Sequence, residues 1–305
     1  MKLTNLETFN FKGAFRGMRN PMNSWDRSDS IFDLVKTEEM DDCFFEIAAN
    51  WVENEGKNPS EEHELIDEYK NWLSNIGIIN RGKRSDVIQV ALLGPKDLEL
   101  AQKLIKAGSE HRKFLRQISV SFDLTAPLYF WKEFDTYKIG TVANSTSTMH
   151  KLASTPITLN CFEIDDYQPD LVYLEGIDEM GDDSFDYFLC IRDMIEPDSK
   201  ELNTYEEPTI IKFLEELRLA YLETGDKVYW KELVRWLPES WLQTRTITMT
   251  YENILNLIHQ RNNHKLSEWN WLINEFKKLP YSYELLFFTL EKKENENDNQ
   301  SLQEE

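Results

Sequence analysis

The densest set of ligand-binding side chains lies in KIGTVANSTSTMHK, residues 138–151. Thr141, Ser145, Thr146, Ser147 and Thr148 offer hydroxyls. Asn144 offers an amide, Lys138 and His150 are cations or donors, and Gly140 loosens the backbone. Hydroxyls, amides and a cation on a pliable loop are what cradles a phosphate. Arg16 and Arg19, in RGMRNPMNSWDR, can supply guanidinium forks to the same anion. Glu133 and Asp135 are a weaker acid/base pair, because residues two apart on a helix point different ways and suit a solvated face. The acidic run GIDEMGDDSFDYF lacks the regular ligand spacing of a calcium loop. Cys43, Cys161 and Cys190 are far apart and in no metal-like spacing, which points to reduced thiols rather than a zinc site or disulfide framework. The chain has no phosphate loop, dinucleotide fingerprint, nucleophile elbow or zinc-hydrolase helix.

These residues must be positioned by regular elements. The stretch FNFKGAFRGMRNPMNSWDRSDS, rich in Gly, Pro, Ser, Asn and Asp, predicts an irregular loop. In EEHELIDEYKNWLSNIG, Leu65, Ile66, Tyr69, Trp72 and Leu73 recur at helical spacing. SDVIQVALL reads as a buried strand, followed by a helix from Pro95 to Gly108. Phe114, Ile118, Val120 and Phe122 predict the apolar face of a second strand, and Asp123 an N-cap for a helix running to about Gly140. Residues 207–236 are expected to be helical, TRTITMT extended, and YENILNLIHQR and SEWNWLINEFKKL helices closed by Pro280. The tail KKENENDNQSLQEE is too polar to bury anything and is expected to be disordered.

Composition bounds the function. With 41% hydrophobic and 12% aromatic residues, the 305-residue chain can bury a sizeable core. Its 34 Lys and Arg against 55 Asp and Glu give a net charge of −21, a field that repels nucleic acid and anionic membranes. A phosphate-bearing ligand therefore needs a local basic pocket. The N-terminus lacks the apolar stretch of a signal peptide, and no stretch approaches the roughly 20 apolar residues of a membrane helix, so a soluble cytoplasmic protein is expected.

Two blocks resemble the flavin-dependent thymidylate synthases. In that family a Glu-His pair leads through a strand to a helix ending in Arg-His-Arg, followed by a Ser-rich segment closing on Arg-Tyr. Here Glu110-His111 leads through Phe114 and Ile118 to Trp131-Lys132-Glu133, and the Arg-Tyr equivalents fall at Ala143-Asn144. Downstream, Leu237-Pro238, TRTITMTYENILNLIHQR, His264 and Ser267-Glu268-Trp269 follow the family's order, with Arg261 where it keeps the Arg that contacts the nucleotide base. The resemblance covers roughly residues 85–150 and 235–280.

It implies an α+β fold, a mixed sheet flanked by helices of the thymidylate synthase complementing protein-like type. Residues 1–80 would be an N-terminal extension packed on a core domain of 81–290, with 291–305 as tail. It implies FAD as cofactor, lined by His111, Trp131, Lys132 and His264, and a deoxyuridine or related pyrimidine nucleotide as substrate. Arg261 would polarise the pyrimidine. Ser145 or Ser147 would contact the phosphate; beside the resemblance, Lys138, Thr141 and Asn144, with Arg16 and Arg19, are the residues from which a phosphate site would be rebuilt. Folate, NADPH and a homotetramer belong to the same expectation. The structural alternatives are core packing for Trp131 and Tyr137, a satisfied donor for His111, and a helix C-terminal cation for Arg261. The departures bear on mechanism. Replacing an Arg beside a phosphate by Glu133 reverses an interaction on the order of 4 kcal/mol at about 4 Å. The phosphate site cannot work as in the family, and a non-catalytic nucleotide-binding or structural homologue is the alternative.

Overall fold

The computed structural model describes residues 1–56, 62–81, 87–163 and 209–290. The acidic run GIDEMGDDSFDYF, Cys190 and the tail KKENENDNQSLQEE lie outside them. In chain order the elements are β1 (Lys2–Phe9), α1 (Phe11–Arg19), β2 (Ile31–Lys36), α2 (Met40–Glu55), α3 (Glu62–Ile76), β3 (Ile78–Arg81), β4 (Val87–Leu92), α4 (Pro95–Lys106) and β5 (Ser119–Pro127). They continue with α5 (Leu128–Phe134), β6 (Val142–Ser145), α6 (Thr148–Lys151), α7 (Thr209–Thr224), α8 (Lys227–Arg235), β7 (Leu242–Thr250), α9 (Tyr251–Arg261), α10 (Ser267–Phe276) and α11 (Ser282–Leu285). One sheet has the order β1-β5-β7-β6, and a second, with β4 in the middle, the order β2-β4-β3. Helices and separate sheets make the class α+β, as expected. Among the described residues no helix is long and apolar enough to cross a membrane.

The chain divides into two compact units. Of the described residues, the larger holds 3–56, 62–81, 87–123, 137–143 and 246–290; the smaller holds 1–2, 124–136, 144–163 and 209–245. In the larger unit β4 pairs antiparallel with both β2 and β3. Phe44, Ile47, Val52, Ile66 and Leu73 from α2 and α3 cover this sheet against Val35, Val90 and Leu92. Each such burial contributes about 1.5–3 kcal/mol.

The first segment departs from expectation. Residues 11–19 form a helix, because Phe11, Ala14, Phe15 and Met18 recur every three or four residues and all are buried. Gly17 is not a breaker but a close approach: a Cβ there would run into the side chain of Gln117. The strand after residue 118 also runs further than expected. Val120, Phe122, Leu124 and Ala126 are buried and alternate with Ser121, Asp123 and Thr125, so period two carries β5 through to Pro127. Asp123 therefore caps no helix. Its carboxylate accepts from Thr246 Oγ1 at 2.6 Å and Asn5 Nδ2 at 2.7 Å. Those two hydrogen bonds, Thr246 first, hold its pKa below the ordinary Asp value. Helix α5 starts behind Pro127 and ends at Phe134, not near Gly140.

In the smaller unit, α7 and α8 pack Ile211, Leu214 and Leu233 against Leu152, Ile157 and Phe162. Asp226 caps α8 by accepting from Val228 N at 2.9 Å. Arg218 donates to Glu215 at 2.7 Å, and Glu215 also accepts from Ile157 N at 2.8 Å. The Arg218 hydrogen bond is the main reason the Glu215 carboxyl titrates below its ordinary value.

Candidate functional site

Helix α9 builds the strongest candidate site in the larger unit. Thr250 caps it: the Thr250 side chain accepts from Asn253 N, and the Asn253 side chain accepts from Thr250 N at 3.3 Å, a capping box with Asn in the Glu/Gln position. The same Asn253 donates Nδ2 to Ile139 O at 2.5 Å, so one residue finishes the helix and holds the 137–141 loop. Gly140 turns that loop at φ 74°, and a Cβ there would stand 2.9 Å from Asn253 Oδ1. Eight residues on, about 12 Å along the helix axis, Arg261 holds the loop's other end by donating Nε to Tyr137 Oη at 2.9 Å.

The Arg261 guanidinium is oriented on several sides. It lies 4.7 Å from the Trp269 ring centroid and 5.7 Å from that of Tyr137. Nη1 lies 3.0 Å from His264 Nε2. Leu266 N also donates to the His264 ring, at Nδ1 and 3.2 Å. A neutral imidazole accepts at only one nitrogen, so Arg261 and the Leu266 amide compete for the ring. Trp269 is fully buried on α10, packs edge-on against Tyr137 at 5.8 Å between centroids, and makes the rigid wall of this clamp.

Thr141 lies in the same loop, next to the Gly140 turn. Among the described residues its Oγ1 is the buried side-chain polar atom without a hydrogen-bond partner. Leaving a buried hydroxyl unpaired costs roughly 1–3 kcal/mol, which a ligand acceptor or donor can recover. Lys138, exposed in the same loop, adds a cation. The loop and the helix that holds it thus carry an oriented guanidinium, an orphan hydroxyl and an exposed ammonium.

The other expected residues fall elsewhere. Asn144 and Ser145 lie exposed in β6 and belong to the smaller unit. Ser147 caps α6, accepting from His150 N at 3.2 Å. Trp131 is fully buried, and its ring N–H lies 2.9 Å from Ala126 O and 3.0 Å from Gln243 O, under the Arg245 guanidinium at 4.3 Å. Lys132 pairs with Glu239 at 2.6 Å. Arg16 is exposed on α1. Arg19, expected at a phosphate, is buried and donates Nε to Asp97 Oδ1 at 2.6 Å. His111 is exposed and lines a cavity with Arg19. Of the expected set, the structure therefore gathers Arg261 and His264 in one clamp, with Lys138 and Thr141 on the loop it holds.

Asn253 and Glu252 were missed. Thr-x-x-Asn before an apolar run is a readable capping signal for Asn253. Glu252 accepts from Arg112 at 3.2 Å and also bonds Arg116, contacts 140 and 136 residues apart that no local pattern announces.

No protein-family model and no curated protein matches the chain. Among solved structures it is similar to thymidylate synthase X (ThyX) from Helicobacter pylori with FAD and dUMP. Identity is 15%, over 94% of this chain and 97% of that one, with a TM-score of 0.47. It is also similar to flavin dependent thymidylate synthase ThyX from Helicobacter pylori complexed with FAD and dUMP. That match has 17% identity over 63% of this chain and 83% of the other, with a TM-score of 0.39. At these scores neither likeness defines the fold of this chain.

Proposed function

We propose that the chain is a divergent flavin-dependent thymidylate synthase-like protein whose larger unit binds a pyrimidine nucleotide at the Arg261 clamp. One observation carries this reading: the 137–141 loop, tied to α9 by Asn253 and Arg261, holds Thr141 with a buried hydroxyl that lacks a partner. Arg261 faces the pyrimidine carbonyl, Thr141 supplies a hydrogen bond, and Lys138 neutralises phosphate charge. Calorimetric titration of dUMP into the full chain tests it. Binding should fall about 30-fold or more in Arg261→Ala, since removing one partner of a charged hydrogen bond typically loses 2–5 kcal/mol. Unchanged binding in that variant, or no binding to the parent, sinks the proposal.

Two of the residues assigned to FAD have structural partners instead. Trp131 is buried with its ring N–H engaged, under Arg245 and edge-on to Phe130 and Phe134, and Lys132 is paired with Glu239. The sealed Trp131 favours the second reading, a nucleotide-binding homologue without the flavin reaction. An absorbance spectrum of the purified protein separates the two: flavin bands support the enzyme, and a colourless protein that still binds dUMP supports the second. Light scattering tests the homotetramer that the family resemblance implies.

A further inference from the structure

A second concave site lies in the larger unit and shares no residue with the Arg261 clamp. Its volume is about 840 Å³, within the range of small-molecule pockets. The walls come from the end of α1 with the turns after it, and from α4 with the segment after it. Met18, Leu100, Leu104 and Phe114 give it an apolar floor. Arg27, Lys96, Lys113 and His111 stand around it, with Asp26 and Glu110. Lys113 is paired with Glu110 at 3.3 Å. Arg27 and Lys96, both exposed, make no ion pair among the described residues. Both line the same cavity as the apolar floor.

The walls are pinned from behind. Buried Asp97 accepts from Arg19 Nε at 2.6 Å through one oxygen and from Ser28 Oγ at 2.6 Å through the other. Asp29 accepts from Lys96 N at 2.9 Å and Asp97 N at 3.0 Å, and Ser30 Oγ accepts from Gly94 N at 2.9 Å. Residues 28–30, directly after Arg27, are thus tied to the helix start carrying Lys96 by four hydrogen bonds, and Arg19 at the end of α1 adds a fifth to the same helix start. The backbone that carries the two cations is preorganised, which leaves only their side chains to be ordered on binding.

We propose that this cavity binds an anionic amphiphile: an apolar or aromatic body on the Met18, Leu100, Leu104 and Phe114 floor, with a phosphate or carboxylate head between Arg27 and Lys96. The test is calorimetry on the full chain with octyl phosphate, octanoate and octanol, all below their aggregation concentrations. At least one of the two anions should bind while octanol does not, and the stronger of the two identifies the head group. Reversing both exposed cations, Arg27→Glu with Lys96→Glu, should weaken that binding at least about tenfold. Lys12→Glu, an exposed charge reversal elsewhere, should leave it within about twofold. Neither anion binding, octanol binding as well as they do, or equal loss in Lys12→Glu would overturn the proposal. Affinity for dUMP should stay unchanged in the double variant, so failure here and failure at Arg261 are told apart.

Discussion

Two arginine–tryptophan stacks carry the lesson of this molecule. In the smaller unit Arg245 lies over Trp131; in the larger Arg261 lies over Trp269. The first stack is closed by ordinary structural partners. Arg245 donates to Asp135 at 2.7 Å and to Gln243 at 3.0 Å, and the Trp131 ring N–H meets two backbone carbonyls. The second is oriented by a phenol and an imidazole, and the loop it holds carries an orphan hydroxyl. The same pair of side chains is mortar in one place and a candidate binding surface in the other. The difference lies in what surrounds them.

The largest effect should come from Trp131→Ala, with about 3–5 kcal/mol lost in urea unfolding. Trp131→Phe should also lose stability; if it instead removed a flavin absorbance at full stability, the comparison would break. Arg261→Ala should lose dUMP affinity by about 2–5 kcal/mol, whereas Arg245→Ala should leave affinity unchanged and lower the unfolding midpoint. A smaller effect with opposite signs should come from Thr141→Val. Removing an unpaired buried hydroxyl should leave stability unchanged or raised by up to about 1 kcal/mol, while dUMP affinity drops by about 1 kcal/mol. Loss of both in parallel would make Thr141 structural.

The smallest effect concerns acid. Asp123 in the larger unit and Glu215 in the smaller have folded pKa values held below their unfolded ones. Their stabilisation is present above the unfolded carboxylate values and is lost as pH falls through the folded ones. Glu215→Gln should flatten the acid limb of a stability–pH curve, and an unchanged limb would remove Glu215 from that role.

Much of the fold was legible where periodicity is strong. Helices α9 and α10 fall where YENILNLIHQR and SEWNWLINEFKKL predict them, because an apolar face every three or four residues leaves little choice. Helix α1 was hidden by Gly13, Gly17 and Pro21, although Phe11, Phe15 and Met18 carry its face. Asp123 shows two rules in conflict, capping chemistry against alternation, with the buried face deciding. In the candidate site, the hydroxyl-rich segment was readable, but its one orphan hydroxyl was not. Thr141 depends on Asn253 gripping Ile139, 114 residues away in sequence. Arg19 looks like a phosphate ligand in the sequence because its partner Asp97 lies 78 residues away.

His264, contested by Arg261 and the Leu266 amide, makes the clamp report on itself. A ligand that draws the guanidinium away from Nε2 leaves Nδ1 as the accepting nitrogen, so the ring proton settles on Nε2. The two imidazole ¹⁵N resonances of that side chain should then separate into a protonated and an unprotonated signal as nucleotide is added. Occupancy becomes visible in the spectrum of a single histidine.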